Sequence, residues 1–255
     1  MTSIKTPEDI ALIREAGKRL ACIVQRVSDT VAPGISTQEL NDVCERLIRE
    51  GGDTPAFLNY RPDGASRPYP ATLCVSINDE AVHGIPDPKR ILKEGDIVSL
   101  DAGLIHQGRI ADMCVTVPVG NVDAQAQRLI DVTKKAMDIG IAAARGGAYV
   151  GDIGRAIEPY VQKEGFEVVA DLGGHGVGLA VHETPHVFHI ARKGKGDKLE
   201  PGMVITVEPT IAEEYGDVIL GDDGFTYVTA DGSRCAQWEH TILITDGAPE
   251  ILTVQ

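Results

Sequence analysis

The chain has 255 residues, of which 24 are basic and 38 acidic, so its formal net charge at pH 7 is −14. This length can bury a substantial core, and the acidic balance argues against a nucleic acid or an anionic membrane as partner. Five cysteines form no CxxC pair, which favours reduced thiols over a disulfide or zinc-thiolate framework. The first ten residues lack an apolar signal core and no apolar run reaches membrane-spanning length, so we expect a cytoplasmic protein.

Two amphipathic helices are predicted at the start of the chain. Thr6 as N-cap and Pro7 as first helical residue indicate where the first one begins. Ser36 and Glu39 have the spacing of a capping box, which marks the start of the second. The glycines at 51–52 end it.

The same helical pattern returns 113 residues later. A third helix is predicted from Asp123 to about residue 145, and the apolar spacing of the second helix recurs in a fourth. Pro159 should kink or shorten that fourth helix. Two pairs of glycines share the offset: Gly34 with Gly147 and Gly52 with Gly165. An accidental resemblance between the helices is the alternative to an internal repeat.

Strand-like sequence follows each pair of helices. The predicted strands are 73–77, 97–104 and 110–119, then 167–172, 203–208, 225–229 and 235–245. Helices followed by strands, twice, predict an α+β fold with two pseudo-symmetric halves, about 1–120 and 121–255, that share one core. We see no linker between the halves, so we expect a single domain, 1–255.

Four acidic residues lie in sequence that otherwise suits buried strands. Asp101 and Asp112 flank a hairpin centred on 106–109, and we expect them to face each other with β-carbons about 5 Å apart. Such carboxylates repel each other unless a cation lies between them. Glu208 ends an apolar strand and Glu239 interrupts another, although glutamate is seldom buried without a partner. Solvated aspartates and outward-facing glutamates are the alternative explanation.

Three histidines have unusual surroundings. His175 lies in the glycine-rich segment 173–178, whose spacing is not that of a dinucleotide-binding loop and whose glycines leave the imidazole unshielded. His83 and His182 each end an apolar segment. Taken alone, such histidines are more often structural than functional. Together with four carboxylates, however, an imidazole makes an oxygen-rich ligand set that suits two divalent ions such as Mn²⁺, Fe²⁺, Co²⁺ or Zn²⁺.

These segments resemble one known family, the type I methionine aminopeptidases, which have the pita-bread fold. The resemblance is carried by CVSINDEAVHGIPD (74–87), the two aspartates eleven residues apart, GGHGVGLAVHETPHV (173–187), VITVEP (204–209) and SRCAQWEHTILIT (233–245). Together the motifs extend over nearly the whole chain. The resemblance implies that the two halves surround a shared, curved antiparallel sheet.

The resemblance also implies a role for each unusual residue. Two divalent ions would be held by Asp101, Asp112, His175, Glu208 and Glu239. His175 and Glu208 would bind one ion and Asp101 the other, while Asp112 and Glu239 would bridge both. A hydroxide shared by the two ions would attack the first peptide carbonyl, and Glu208 would accept its proton.

The implied substrates are nascent polypeptides that begin with methionine and have a small second residue. The enzyme would be a monomer that acts on these N-termini near the ribosome. His182 would donate a hydrogen bond to the developing oxyanion, and His83 would contact the nitrogen of the scissile bond. The first side chain would enter a mostly apolar pocket, which suits unbranched methionine. The implied pocket residues are Phe57, Tyr60, Cys74 and Phe225.

Near this pocket the chain departs from the family's pattern. Val181 stands where phenylalanine is usual, Phe225 where tryptophan is frequent, and Phe57 where cysteine is common. The loop 61–69 is longer than the usual turn. These differences bear on the size preference of the pocket and leave the five ligand positions unchanged.

Two other functions remain open from the sequence. An aminopeptidase or dipeptidase directed at Xaa-Pro bonds is the nearer one, since GHGVGLAVHE also resembles that branch of the fold. A non-catalytic peptide-binding module on the same fold is the other, and it predicts that at least one ligand residue is missing.

Overall fold

A computed structural model describes residues 4–62, 64–192 and 195–255. Within these ranges the helices are α1 Pro7–Ser28, α2 Thr37–Glu50, α3 Ala124–Ala143 and α4 Val150–Lys163. The strands of the first half are β1 Thr54–Pro55, β2 Leu73–Ile77, β3 Glu80–Val82, β4 Ile97–His106 and β5 Arg109–Pro118. Those of the second half are β6 Glu167–Val168, β7 Gly173–Gly176, β8 Glu183–Phe188, β9 Val204–Val207, β10 Thr210–Ala212, β11 Val218–Leu220, β12 Tyr227–Thr229, β13 Cys235–Gln237, β14 His240–Leu243 and β15 Glu250–Ile251. None of the helices in these ranges has the length and apolarity that crossing a membrane requires.

The helices begin where their capping residues predict. The Thr6 hydroxyl accepts the Asp9 backbone N–H, and the Asp9 carboxylate accepts the Thr6 backbone N–H. Ser36 and Glu39 make the same reciprocal pair at the start of α2. Each pair satisfies two donors that a helix N-terminus would otherwise leave without partners, which stabilises the helix by about 1 kcal/mol.

Helices α2 and α4 are both 14 residues long, and α4 starts 113 residues after α2. Pro159 was predicted to kink or shorten the fourth helix, and the length of α4 shows that it does not shorten it. Proline removes one backbone hydrogen bond, but the apolar face of α4 remains buried through Ile153, Ile157 and Val161. Most helical stability in a folded protein comes from such packing, which here outweighs the lost bond.

All of the strand pairs are antiparallel in the part of the chain that the structure describes. In the first half, β4 pairs with β1, β2 and β5; in the second, the strands run in the order β15-β14-β9-β7-β8. Two three-stranded groups, β13-β10-β6 and β11-β12-β3, complete the sheets. In β4, Leu100, Ala102 and Leu104 pack with α1 and α2, whereas Asp101 and Gly103 point to the opposite face, because side chains alternate along a strand.

The register of the β4–β5 hairpin differs from the prediction by two residues. Asp101 lies opposite Cys114, and Asp112 lies opposite Gly103. The reason is a two-residue turn, Gln107–Gly108, in which both residues have positive φ (48° and 77°). A shift of two residues preserves the face, so the aspartates are diagonal neighbours on one side of the sheet rather than directly opposed.

The two halves meet where β5 lies beside the segment that joins β13 to β14. The Glu239 backbone N–H donates to the Cys114 carbonyl at 2.9 Å. The Thr241 hydroxyl accepts the Asp112 N–H at 3.0 Å and donates to the Asp112 carbonyl at 2.7 Å. Trp238, between these contacts, packs against the apolar clusters of both halves. This seam brings Asp112 and Glu239 together although 127 residues separate them in the chain.

Candidate metal centre and active site

The five predicted ligands lie in strands or directly beside them, and both halves of the chain contribute. Asp101 comes from β4 and Asp112 from β5; His175 lies in β7, Glu208 directly follows β9, and Glu239 lies between β13 and β14. Ligand atoms of Asp112, His175 and Glu239 all lie within 4.8 Å of one another. His175 Nε2 lies 3.5 Å from Glu208 Oε1, and Asp101 lies close enough to Asp112, Glu208 and Glu239 to raise their pKa values. The structure therefore brings together all five residues.

The carboxylates of this group are held away from water. Asp112 and Glu239 are only 3% and 2% exposed. Burial raises the pKa of Asp101 to about 7 and that of Glu208 to about 8. The pKa values of Asp112 and Glu239 are raised well above their usual range by burial, and repulsion from the neighbouring carboxylates adds to the effect. Such a cluster is electrostatically unfavourable without compensating positive charge.

Buried oxygens in this cluster lack hydrogen-bond partners. Among the described residues, Asp101 Oδ1, Asp112 Oδ1 and Glu239 Oε1 are inaccessible to solvent and unpaired. Buried polar atoms are nearly always satisfied, so three orphaned carboxylate oxygens at one place require a ligand. The donor set is oxygen-rich with one imidazole, which fits divalent metal ions.

His175 is prepared to act as a ligand through Nε2. Its Nδ1 lies 2.9 Å from the Gly176 carbonyl, which can only accept, so the proton resides on Nδ1 and the Nε2 lone pair faces the carboxylates. Burial lowers the pKa of His175 to about 3, which keeps the imidazole neutral. Gly174 is required beside it, because a β-carbon there would lie 2.5 Å from the Thr206 carbonyl oxygen.

Both predicted substrate-facing histidines lie near His175. His182 is exposed, immediately precedes β8, and its ring centroid lies 4.4 Å from that of His175. The Tyr60 hydroxyl lies 2.8 Å from His182 Nδ1. His83 immediately follows β3 with a φ of 59°, a conformation that non-glycine residues seldom adopt and that is enriched at functional sites. Burial lowers the pKa of His83 to about 4.

The residues predicted to form the pocket share one apolar cluster. Phe57, Cys74 and Phe225 are buried within it, and Tyr60 packs against it. Cys74 pairs with Asp101 across β2 and β4, so this cluster adjoins the carboxylates. Val181, the residue before His182, lies in the same cluster.

Three polar side chains and one aromatic ring in this region were not predicted from the sequence. The Thr206 hydroxyl accepts the His175 backbone N–H at 2.9 Å and donates to Glu208 Oε1 at 2.5 Å. The Gln237 amide donates to Glu208 Oε2 at 3.2 Å, and the Glu208 backbone N–H donates to His189 Nε2 at 3.1 Å. Tyr69 lies edge-on to Phe225, with 5.3 Å between the ring centroids. Thr206 and Gln237 each precede a predicted ligand by two residues, and this spacing was the available signal.

The loop 61–69 lies beside the pocket, and the structure describes all of it except residue 63. The Asn59 N–H donates to the Tyr69 carbonyl and the Tyr69 N–H to the Tyr60 carbonyl, which closes the base of the loop. Arg67 lies over the Phe225 ring, with 4.8 Å from Cζ to the ring centroid, and donates to the Asp223 carbonyl at 3.1 Å. Arg67 of this loop therefore covers Phe225, one of the residues predicted to line the pocket.

Four carboxylates and one histidine in this arrangement define a candidate site for divalent metal ions. The profile of metallopeptidase family M24 matches residues 11–246, and the chain belongs to that family. Methionine aminopeptidase 1 of Bacillus subtilis (strain 168) is 40% identical over 253 residues, which cover 99% of each chain. The resemblance inferred from the sequence is thus confirmed.

Solved structures agree on the fold. The crystal structure of methionine aminopeptidase from Rickettsia prowazekii matches with a TM-score of 0.94 and 41% identity, covering 100% of both chains. The predicted pita-bread architecture is therefore confirmed. A prolidase from Pyrococcus horikoshii OT3 shares the fold alone, with a TM-score of 0.76, 23% identity and coverage of 63% of its own length.

Proposed function

We propose that this chain is a methionine aminopeptidase that releases N-terminal methionine from polypeptides whose second residue is small. The observation that carries the proposal is the buried cluster of four carboxylates around His175, beside an apolar pocket. Relatives at about 40% identity over nearly the full length bear the name methionine aminopeptidase.

The five predicted ligands, Asp101, Asp112, His175, Glu208 and Glu239, would hold two divalent ions. Their oxygen-rich composition suits Co²⁺, Mn²⁺, Fe²⁺ or Zn²⁺. Bound metal of this kind supplies a Lewis acid and lowers the pKa of bound water towards neutrality. We assign the site to two ions because four carboxylates exceed what one divalent charge would compensate.

Glu208 is proposed to take the proton from the attacking water. Its carboxylate is oriented from two sides, by the Thr206 hydroxyl on Oε1 and by the Gln237 amide on Oε2. A general base whose pKa lies near the working pH is the most efficient, and burial raises the pKa of Glu208 to about 8 in the metal-free chain. Neighbouring cations would lower that value.

His182 is proposed to stabilise the developing oxyanion. When the Tyr60 hydroxyl donates to Nδ1, the ring carries its proton on Nε2 and can donate it to the substrate oxygen. A donor of this kind contributes about 2–4 kcal/mol to the transition state. His83, with its pKa lowered to about 4, is neutral at pH 7 and is proposed to contact the nitrogen of the scissile bond.

Phe57, Tyr60, Cys74 and Phe225 are proposed to receive the first side chain. An unbranched thioether adapts well to an apolar cavity of this composition. We further propose that the chain acts in the cytoplasm as a single-domain monomer on nascent polypeptides, close to the ribosome.

Peptide hydrolysis tests the proposal directly. We expect release of methionine from Met-Ala-Ser, and no hydrolysis of Ala-Pro or of an Xaa-Pro tripeptide. Preferred cleavage at proline would assign the chain to the Xaa-Pro branch. A chain that bound two metal equivalents and peptide but hydrolysed neither substrate would be a binding module.

A further inference from the structure

A buried ion pair includes Glu183, the residue that follows His182. Lys5 Nζ is 2.6 Å from Glu183 Oε2, and the two side chains are 1% and 12% exposed. No other pair between lysine or arginine and a carboxylate is buried so deeply in the described ranges. Removing two charges from water is expensive, so a buried pair is weak evidence for added stability and calls for another role.

Glu183 shapes the turn that carries His182. Its second oxygen, Oε1, accepts the backbone N–H of Leu179 at 2.6 Å and that of Ala180 at 3.1 Å. Glu183 directly follows His182 at the start of β8. Its carboxylate therefore makes three hydrogen bonds, to Leu179 and Ala180 before the histidine and to Lys5, and these fix the backbone on both sides of His182.

Lys5 is hydrogen-bonded to the segment just before β9, the strand that Glu208 follows. Its backbone N–H donates to the Gly202 carbonyl at 2.8 Å, and Ile4 pairs with Met203, the residue before β9. The turn packs closely on this segment: a β-carbon on Gly178 would lie 2.9 Å from Lys5 Cε. One lysine therefore connects the element that ends at Glu208 to the turn that presents His182.

We propose that Lys5 and Glu183 are positioning residues that do not touch the substrate. They hold His182 at a fixed distance and orientation relative to Glu208. The inference rests on the proposed function, because it assigns the pair to the geometry of that reaction. A displacement of about 1 Å in an active site can lower the rate on the order of 100-fold. Buried contacts such as those of Lys5 and Glu183 restrict displacements of this size.

Two variants and one matched control test the proposal. Lys5→Met removes the cation but keeps a chain of similar length, and Glu183→Gln keeps the shape and one acceptor oxygen. The control is Arg14→Gln, which breaks the Arg14–Glu250 pair; its Nε–Oε1 distance is also 2.6 Å, but its side chains are 47% and 39% exposed. Steady-state kinetics on Met-Ala-Ser, metal content and urea unfolding are measured for each protein.

We expect kcat to fall at least tenfold in Lys5→Met and Glu183→Gln, with KM within threefold and metal content unchanged. The control should keep the kcat of the wild type. In ¹⁵N-histidine-labelled, Zn²⁺-loaded protein, the imidazole signal of His182, assigned by its loss in His182→Ala, should shift in both variants and not in the control.

An unchanged kcat in a folded Lys5→Met or Glu183→Gln protein would overturn the proposal. It would also be overturned if kcat decreased equally in the control, or if the two variants lost bound metal. If Lys5→Met does not fold, Glu183→Gln decides, because it preserves the size of the buried group. A wild-type protein that leaves Met-Ala-Ser intact would refute the proposed function, whereas active wild type with fully active variants would refute only this inference.

Discussion

Thr206 offers the sharpest test of how the candidate site is built. It is fully buried in β9, and its hydroxyl is the acceptor for the His175 N–H and a donor to Glu208 Oε1. Thr206→Val replaces the hydroxyl with a methyl group of nearly the same size, so it removes both hydrogen bonds without leaving a cavity.

The expected magnitude follows from these two bonds. A buried N–H without a partner costs about 1–3 kcal/mol, and the loss of a second hydrogen bond adds roughly 1 kcal/mol. The free energy of unfolding should therefore decrease by about 2–4 kcal/mol, with a decrease in Tm of about 5–15 °C for a chain of this size. Affinity for metal should decrease on the order of 10- to 100-fold, because Glu208 loses a hydrogen bond that orients it.

The matched control is Thr206→Ser, which keeps the hydroxyl and deletes one methyl group. It should decrease the free energy of unfolding by about 0.8 kcal/mol and leave metal affinity nearly unchanged. Urea unfolding of the metal-free proteins at pH 7 and calorimetric titration with Mn²⁺ measure both quantities. The reasoning is refuted if the valine variant is as stable as the serine variant, or if both bind metal like the wild type.

Three further outcomes follow from the site. Replacing Glu239 with glutamine keeps its shape but removes one of four negative charges, so metal content should decrease from two equivalents per chain; two retained equivalents would remove Glu239 from the ligand set. His182→Ala should lower kcat at least tenfold with metal content intact, since it deletes one oxyanion donor, and an unchanged kcat would contradict its assigned role. In metal-free protein the free energy of unfolding should fall as the pH rises from 7 to 8.5. In that range Asp101, with its pKa raised to about 7, and Glu208, with its pKa raised to about 8, bind protons in the folded state that they have lost in the unfolded state, where their pKa values are near 4. Above pH 7 His83 and His175 are largely neutral in both states, because the pKa of a histidine is about 6.5 when unfolded and theirs are lower when folded. A higher urea midpoint at pH 8.5 than at pH 7 would show that the carboxyls are not buried as described.

Local signals in the sequence predicted the helices and the identity of the site residues. Thr6 and Ser36 begin their helices where the capping residues indicate, because a cap depends only on neighbours within four residues. Carboxylates in apolar strands stood out because burial of an unpaired charge is unfavourable in any fold.

Such local signals did not predict the register of the β4–β5 hairpin or the hydrogen bonds around the ligands. The two-residue turn at Gln107–Gly108 moved the partner of Asp101 from the predicted Asp112 to Cys114. Pro159 did not shorten its helix, because contacts from distant parts of the chain hold its apolar face. The role of Thr206 as a link between His175 and Glu208 depends on how β7 and β9 approach each other.

The sequence by itself determined which residues are chemically unusual, which helices form and which family the chain resembles, since motifs and caps are local. Only the tertiary structure decided that Asp112 and Glu239 meet at the seam of the two halves, that their oxygens lack protein partners, and that Lys5 lies against Glu183. These are contacts between residues more than 120 positions apart, and their geometry depends on the packing of the whole chain rather than on any local pattern.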